Sequence, residues 1–247
     1  LCARAYQPLA DVLARRLRVI GVDFRGHGDS SAPPNANYSW TSMAEDVIAV
    51  ARDTATEGPL YGFGHSMGGA VLLLAESRQP GLLAALYLFE PIVLASQGED
   101  DGQSAALAGA ARSRRREFES GKAALWRFAG RPPFEDLQAA SLLAYIEHGM
   151  AQAGDGRVHL KCSPEAEALS FEGAGKPSAD DLATLAVPAT IAIGGTLEGW
   201  SPSRLGRRAA ASLPGAKLEE HPFLGHFGPL ESPREIGEMA LRSFAAE

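Results

Sequence analysis

Between residues 60 and 78 the chain reads LYGFGHSMGGAVLLLAESR. A short apolar run meets a cluster of glycines around one serine and continues as an apolar stretch of helical length. Glycine is needed there because the turn is tight and the helix must pack close to the strand. A strand that feeds directly into a helix is the unit from which parallel sheets are built, so this stretch narrows the fold before anything else is read.

The surrounding sequence repeats the alternation. Residues 6–17 carry apolar positions at helical spacing and end in Arg15 and Arg16, suited to a helix C-terminus. Residues 18–23 read as a short buried strand, followed by a loop of Gly, Ser, Pro and Asn over 25–37. A helix is predicted over 41–52, capped by Ser39 or Thr41, then a strand over 60–63, a helix over 67–78 and a strand over 84–89. The pattern predicts an α/β fold with a mainly parallel sheet flanked by helices. It breaks after Leu94. Residues 98–183 are rich in Ala, Arg and Glu, with helices expected over 105–119, 122–128 and 137–150 and no clear strand. The alternation resumes with a strand over 187–193, a helix over 203–213, a strand over 216–220 and a last helix over 233–246. The expected organisation is a core of residues 1–96 and 184–247, with residues 97–183 inserted as a helical cap.

Composition excludes several classes of function. A chain of 247 residues fits one α/β domain with an inserted subdomain. The net charge is −7 and there is no long basic tract, which argues against nucleic acid as a partner. Arg112, Arg114, Arg115 and Arg116 form the one local exception and read as a solvated helix face. Cys2 and Cys162 make neither a metal set nor a disulfide framework, so a reducing, cytoplasmic setting is expected, with no metal and no organic cofactor. No charged-then-apolar leader and no apolar run of spanning length is seen, so no membrane partner is expected. Oligomeric state is not readable from the sequence.

Gly64-His65-Ser66-Met67-Gly68 matches G-x-S-x-G at a strand-to-helix junction, where a nucleophile elbow must stand. Ser66 is the candidate nucleophile. The Met67 N–H, at the start of the helix, is a candidate oxyanion donor. A serine at its ordinary pKa is a poor nucleophile and needs a base. Of six histidines, His27 lies in an early loop, His65 inside the turn, and His148 and His159 in the expected cap. His221 stands at a strand end and reads as structural. His226, in a Gly-containing loop beyond the last strand, suits the chain order Ser, acid, His and is the candidate base. The acid should follow a strand between Ser66 and His226. Glu198, after the run ending Ile193-Gly194-Gly195, is the first choice, and Glu90, after Leu86-Tyr87-Leu88-Phe89, is the alternative. His65, Trp126, Phe128, Phe134 and Tyr145 are candidates for lining a substrate pocket.

GVDFRGHGDSSAP, GFGHSMGG, VPATIAIGG and GHFGPLESP together resemble the α/β-hydrolase superfamily in its capped, serine-nucleophile branch. The resemblance covers nearly the whole chain outside the cap. It implies Ser66 as nucleophile, His226 as base and an acid near Glu198, although the family more often has Asp there. A serine nucleophile separates the chain from haloalkane dehalogenases and epoxide hydrolases. The implied activity is hydrolysis of a carboxylic ester or related small-molecule acyl substrate. Carbon–carbon bond hydrolysis, perhydrolysis and a non-catalytic binding role are the alternatives. Members of the family carry three further strands before residues 18–23. One of them lies between the strands expected at 18–23 and 60–63 and leads into the loop that supplies a second oxyanion donor. An upstream segment is therefore expected in the natural protein.

Overall fold

The computed structural model describes residues 1–54, 58–98, 103–195 and 201–246. They form two compact units. One comprises Ser39–Glu99, Ala174–Gly228 and Glu238–Glu247, and the other comprises Leu1–Tyr38, Asp100–Gly173 and Pro229–Gly237.

The first of these carries the parallel sheet. Its strands lie in the order Tyr61–His65, Ala85–Phe89, Ala189–Gly194 and Lys217–His221, and every pair is parallel. Parallel neighbours need crossovers, and helices supply them: Met67–Arg78 between the first two strands and Pro202–Ser212 between the last two. Ala85–Phe89 and Ala189–Gly194 are buried along their whole length, as inner strands covered on both faces must be. Period-two alternation sorts their side chains. Leu86, Leu88, Ile191 and Ile193 join Leu73, Leu182, Ala209 and Leu213 in one apolar cluster beneath the helices. On the opposite face Phe63 stacks on Tyr87 and Tyr61 on Phe244, and Thr190 and Ser243 share a hydrogen bond of 2.8 Å. Each fully buried Leu or Ile contributes roughly 1.5–3 kcal/mol relative to exposure.

A helix was expected over 41–52 and forms as Trp40–Thr54. Asp181 caps the short helix Ala179–Leu182, its carboxylate accepting from the Ser178 N–H at 2.7 Å.

The other unit departs from expectation in three places. Residues 6–17 form a helix only over Gln7–Leu13, preceded by a 3₁₀ turn, Ala3–Tyr6. Residues 18–23 form no strand. They have no ladder partner among the described residues, and Val19 and Ile20 are 39% and 37% exposed. Asp23 organises the loop that follows: its carboxylate accepts from the N–H groups of Ala3 (2.7 Å) and Asp29 (3.0 Å), and its carbonyl accepts from the Ser30 hydroxyl (2.7 Å). A Cβ on Gly28, whose φ is +51°, would fall within 2.0 Å of that carboxylate.

The third departure lies in the stretch read as all-helical. Its helices are Gln103–Arg112, Gly121–Ala129, Ala139–Gly149 and Pro164–Glu172. Between them Glu117–Phe118, Val158–Leu160 and Met150–Gln152 form a small antiparallel sheet. Strands of two or three residues are too short for a period-two pattern to show. The arginine run is not simply solvated. Arg112 pairs with Glu165 (2.9 Å) and Glu172 (2.6 Å), bridging Gln103–Arg112 to Pro164–Glu172, and Arg114 pairs with Glu167. Among the described residues no helix is long and apolar enough to cross a membrane.

Candidate active site

Ser66 stands at the end of the strand Tyr61–His65 as the N-cap of Met67–Arg78, with φ +54° and ψ −121°. A β-carbon makes that backbone costly, about 1–3 kcal/mol, so its neighbours must hold it. The Ser66 N–H donates to the Phe89 carbonyl at 2.9 Å, tying the turn to the next strand. The glycines divide the remaining work unevenly. A Cβ on Gly64 would lie 2.6 Å from the Gly69 Cα, and one on Gly69 would lie 2.9 Å from Pro91 Cβ. At Gly68 it would meet nothing within 4 Å. The close approach of strand and helix thus rests on Gly64 and Gly69. The Met67 N–H belongs to the first helical turn, whose donors lack intrahelical acceptors.

Strand Ala85–Phe89 ends in the same manner. Glu90 follows it with φ +46°, its N–H donating to the Ala192 carbonyl at 2.8 Å. The side chain is 2% exposed. One carboxylate oxygen accepts from the Gly194 N–H at 2.8 Å, and the other lies 2.6 Å from His226 Nδ1. A carboxylate oxygen accepts, so Nδ1 carries a proton, and in the neutral imidazole Nε2 then keeps its lone pair. That Nε2 lies 3.1 Å from Ser66 Oγ.

The loop presenting His226 is set by close backbone packing. The Gly195 N–H donates to the Leu224 carbonyl at 2.7 Å, and the Leu224 N–H donates to the His221 carbonyl at 3.0 Å. A Cβ on Gly194 would lie 2.6 Å from the Leu224 oxygen, so the strand end must be glycine for the loop to settle there. His65 adds a further tie: its Nε2 lies 2.7 Å from the His226 carbonyl oxygen, which requires Nε2 to be the donor. Burial and the neighbouring His226 imidazole hold His65 well below its ordinary pKa, so it is neutral.

The expected residues Ser66 and His226 therefore meet, and the carboxylate on His226 belongs to Glu90. Glu198 lies outside the described residues. Sequence reading missed Gly194, Phe89 and Pro91 as supports. The signal for them is the placement of each beside a strand end. Of the candidate pocket residues, Phe128 packs on Phe134 (4.7 Å between ring centroids) and Tyr145 (5.6 Å). Trp126 is 71% exposed. The Arg114 guanidinium donates to the Tyr145 hydroxyl at 3.2 Å. His221 is buried at its strand end, His159 lies in the short strand Val158–Leu160 and His148 in the helix Ala139–Gly149. His27 is buried, and burial pushes its imidazole down to about 4. Among the described residues no group of three or more His, Cys, Asp or Glu is arranged to hold a metal ion.

The alpha/beta hydrolase family model matches residues 2–238. Monoacylglycerol lipase of Mycolicibacterium smegmatis is 28% identical over 184 residues, which cover 73% of this chain and 60% of the lipase. 2-(Acetamidomethylene)succinate hydrolase of Mesorhizobium japonicum is 29% identical over 170 residues, covering 68% of this chain and 57% of that protein. The chain thus spans less than two thirds of the length of these relatives. The crystal structure of E-2-(acetamidomethylene)succinate hydrolase superposes with a TM-score of 0.83 at 22% identity, over 99% of this chain and 87% of that one.

Proposed function

Because this chain belongs to the alpha/beta hydrolase family, we propose that it is a serine hydrolase acting on a carboxylic ester or related small acyl substrate. The observation that carries the reading is the unbroken line from Ser66 Oγ through the His226 imidazole to the Glu90 carboxylate, at 3.1 and 2.6 Å.

In this reading Ser66 Oγ attacks the substrate carbonyl carbon as His226 Nε2 takes its proton. The Met67 N–H donates to the oxygen that gains negative charge. His226 then returns the proton to the leaving alcohol, and an acyl-enzyme remains on Ser66. Water activated by the same Nε2 releases the acid and restores the serine. Glu90 keeps its negative charge throughout. It holds the Nδ1–H tautomer and stabilises the imidazolium that forms in each half-reaction. Glu90 replaces Glu198 as the proposed acid because its carboxylate lies on His226 Nδ1. The likeness to the monoacylglycerol lipase of Mycolicibacterium smegmatis supports an ester as the substrate class.

A fluorophosphonate probe tests the reading. Wild-type protein should label at Ser66 and turn over p-nitrophenyl esters, and Ser66→Ala should do neither while melting as wild type does. A folded wild-type protein that fails to label would favour a binding protein instead.

A further inference from the structure

His65, beside the proposed nucleophile, looks at first like a pocket residue. Its ring is engaged by a backbone carbonyl and by neighbouring rings. Alternation along Tyr61–His65 turns Gly64 toward the helix Met67–Arg78 and His65 to the opposite face. There it lies edge-on to Phe89 (6.0 Å) and Phe227 (5.7 Å), with the His226 ring 4.7 Å away. Its Nε2–H reaches the His226 carbonyl across 161 positions of sequence at 2.7 Å.

We propose that His65 is a positioning residue: its Nε2–H···O=C bond fixes the backbone of His226 against the strand that carries Ser66, and so sets the distance between the two. The inference rests on the serine-hydrolase reading of the same site. Three contacts locate the His226 imidazole. Glu90 fixes its tautomer and ring plane from one side, and the Gly195–Leu224 bond fixes the loop two residues upstream. The His65 bond acts on the backbone of His226 itself. An imidazole suits the task for two reasons. It fills a gap between aromatic rings, and its distal nitrogen reaches a carbonyl that a shorter donor would miss. Burial keeps it uncharged, so it places no positive charge beside the imidazolium that His226 becomes during turnover.

The test compares His65→Phe, which keeps the ring and loses the donor, with His65→Gln, whose side-chain amide reaches about as far and still donates. Fluorophosphonate labelling at Ser66 and kcat on p-nitrophenyl acetate should fall roughly 10- to 100-fold in His65→Phe with KM little changed, as expected for a misplaced catalytic group. Both should stay within about threefold of wild type in His65→Gln. Amide hydrogen exchange over residues 222–228 should rise in His65→Phe and not in His65→Gln. Nitrogen NMR of the unaltered protein, which needs no variant to fold, should find the His65 proton on Nε2. Equal exchange and equal labelling in the two variants, or a proton on Nδ1 alone, would overturn the proposal. If wild-type protein does not label at all, the hydrolase reading fails, and exchange and NMR still decide the tether.

Discussion

The two ends of one strand, Ala85–Phe89, show opposite uses of a buried carboxylate. At its start Glu76, in the helix Met67–Arg78, accepts from the N–H groups of Gly81 (2.6 Å) and Leu83 (3.0 Å). Both oxygens are spent on backbone, and the turn into the strand is stapled. At its end Glu90 gives one oxygen to the Gly194 N–H and aims the other at His226. The two residues are almost equally buried, at 4% and 2%. Burial therefore does not separate a structural acid from a candidate catalytic one. What separates them is an oxygen directed at a titratable ring, together with a backbone strained to aim it. Ser66 and Glu90 both have positive φ and both follow C-terminal strand ends, the edge of a parallel sheet at which open α/β folds gather their ligands.

The sharpest way to break this contrast is Glu90→Gln. The Gln amide can donate to Nδ1, moving the imidazole proton to Nε2 and removing the base. We expect kcat to fall about 10³–10⁴-fold with little change in melting, as for loss of the acid in other triads. Glu198→Gln should cost far less, and kinetics showing the reverse order would make Glu198 the acid. Next in size is Gly64→Ala, whose Cβ meets backbone at 2.6 Å. A loss of about 3 kcal/mol or more in denaturant unfolding is expected. Gly68→Ala, in open space, should be neutral or stabilise by up to about 1 kcal/mol. Glu76→Gln comes third. It leaves one backbone N–H facing an amide donor, and should cost about 1–3 kcal/mol while kcat per folded molecule is unchanged. A fall in kcat as large as that of Glu90→Gln would abolish the distinction between the two ends.

The smallest effect is on pH dependence. His65 is held below its ordinary value of 6.5 by burial and by the neighbouring His226, so above pH 6.5 it is neutral in both folded and unfolded states and its contribution is complete. As pH falls below 6.5 the unfolded chain binds a proton that the folded one resists, and stability declines toward the folded value. Melting temperature should drop across that interval, and His65→Gln should flatten the decline. An unchanged slope would mean that another group is responsible.

Much of the candidate site was legible in the sequence. Ser66 follows from glycines at a strand-to-helix junction, and His226 from a Gly-containing loop after the last strand. The choice between Glu90 and Glu198 was not, because each follows an apolar run and sequence does not give lateral strand order. Only the pairing of Ala85–Phe89 with Tyr61–His65 brings Glu90 beside Ser66. Residues 18–23 failed for a related reason. Their pattern suits a strand, but a strand exists only with a neighbour to complete its ladder. The strands Glu117–Phe118 and Val158–Leu160 were invisible because so few residues carry no period.

The register His65↔Phe89 has a consequence for how such a protein can be recombined. The proposed nucleophile and acid follow directly on these paired positions, so their separation is ruled by the spacing of adjacent strands and not by any loop. Residues 61–90 then hold two of the three members of the proposed triad already in register. Chimeras with crossovers outside that stretch should keep the pair intact and need only recover the fit of the His226 loop. A crossover within it keeps the pair only where the two strands from different parents still align as His65 and Phe89 do.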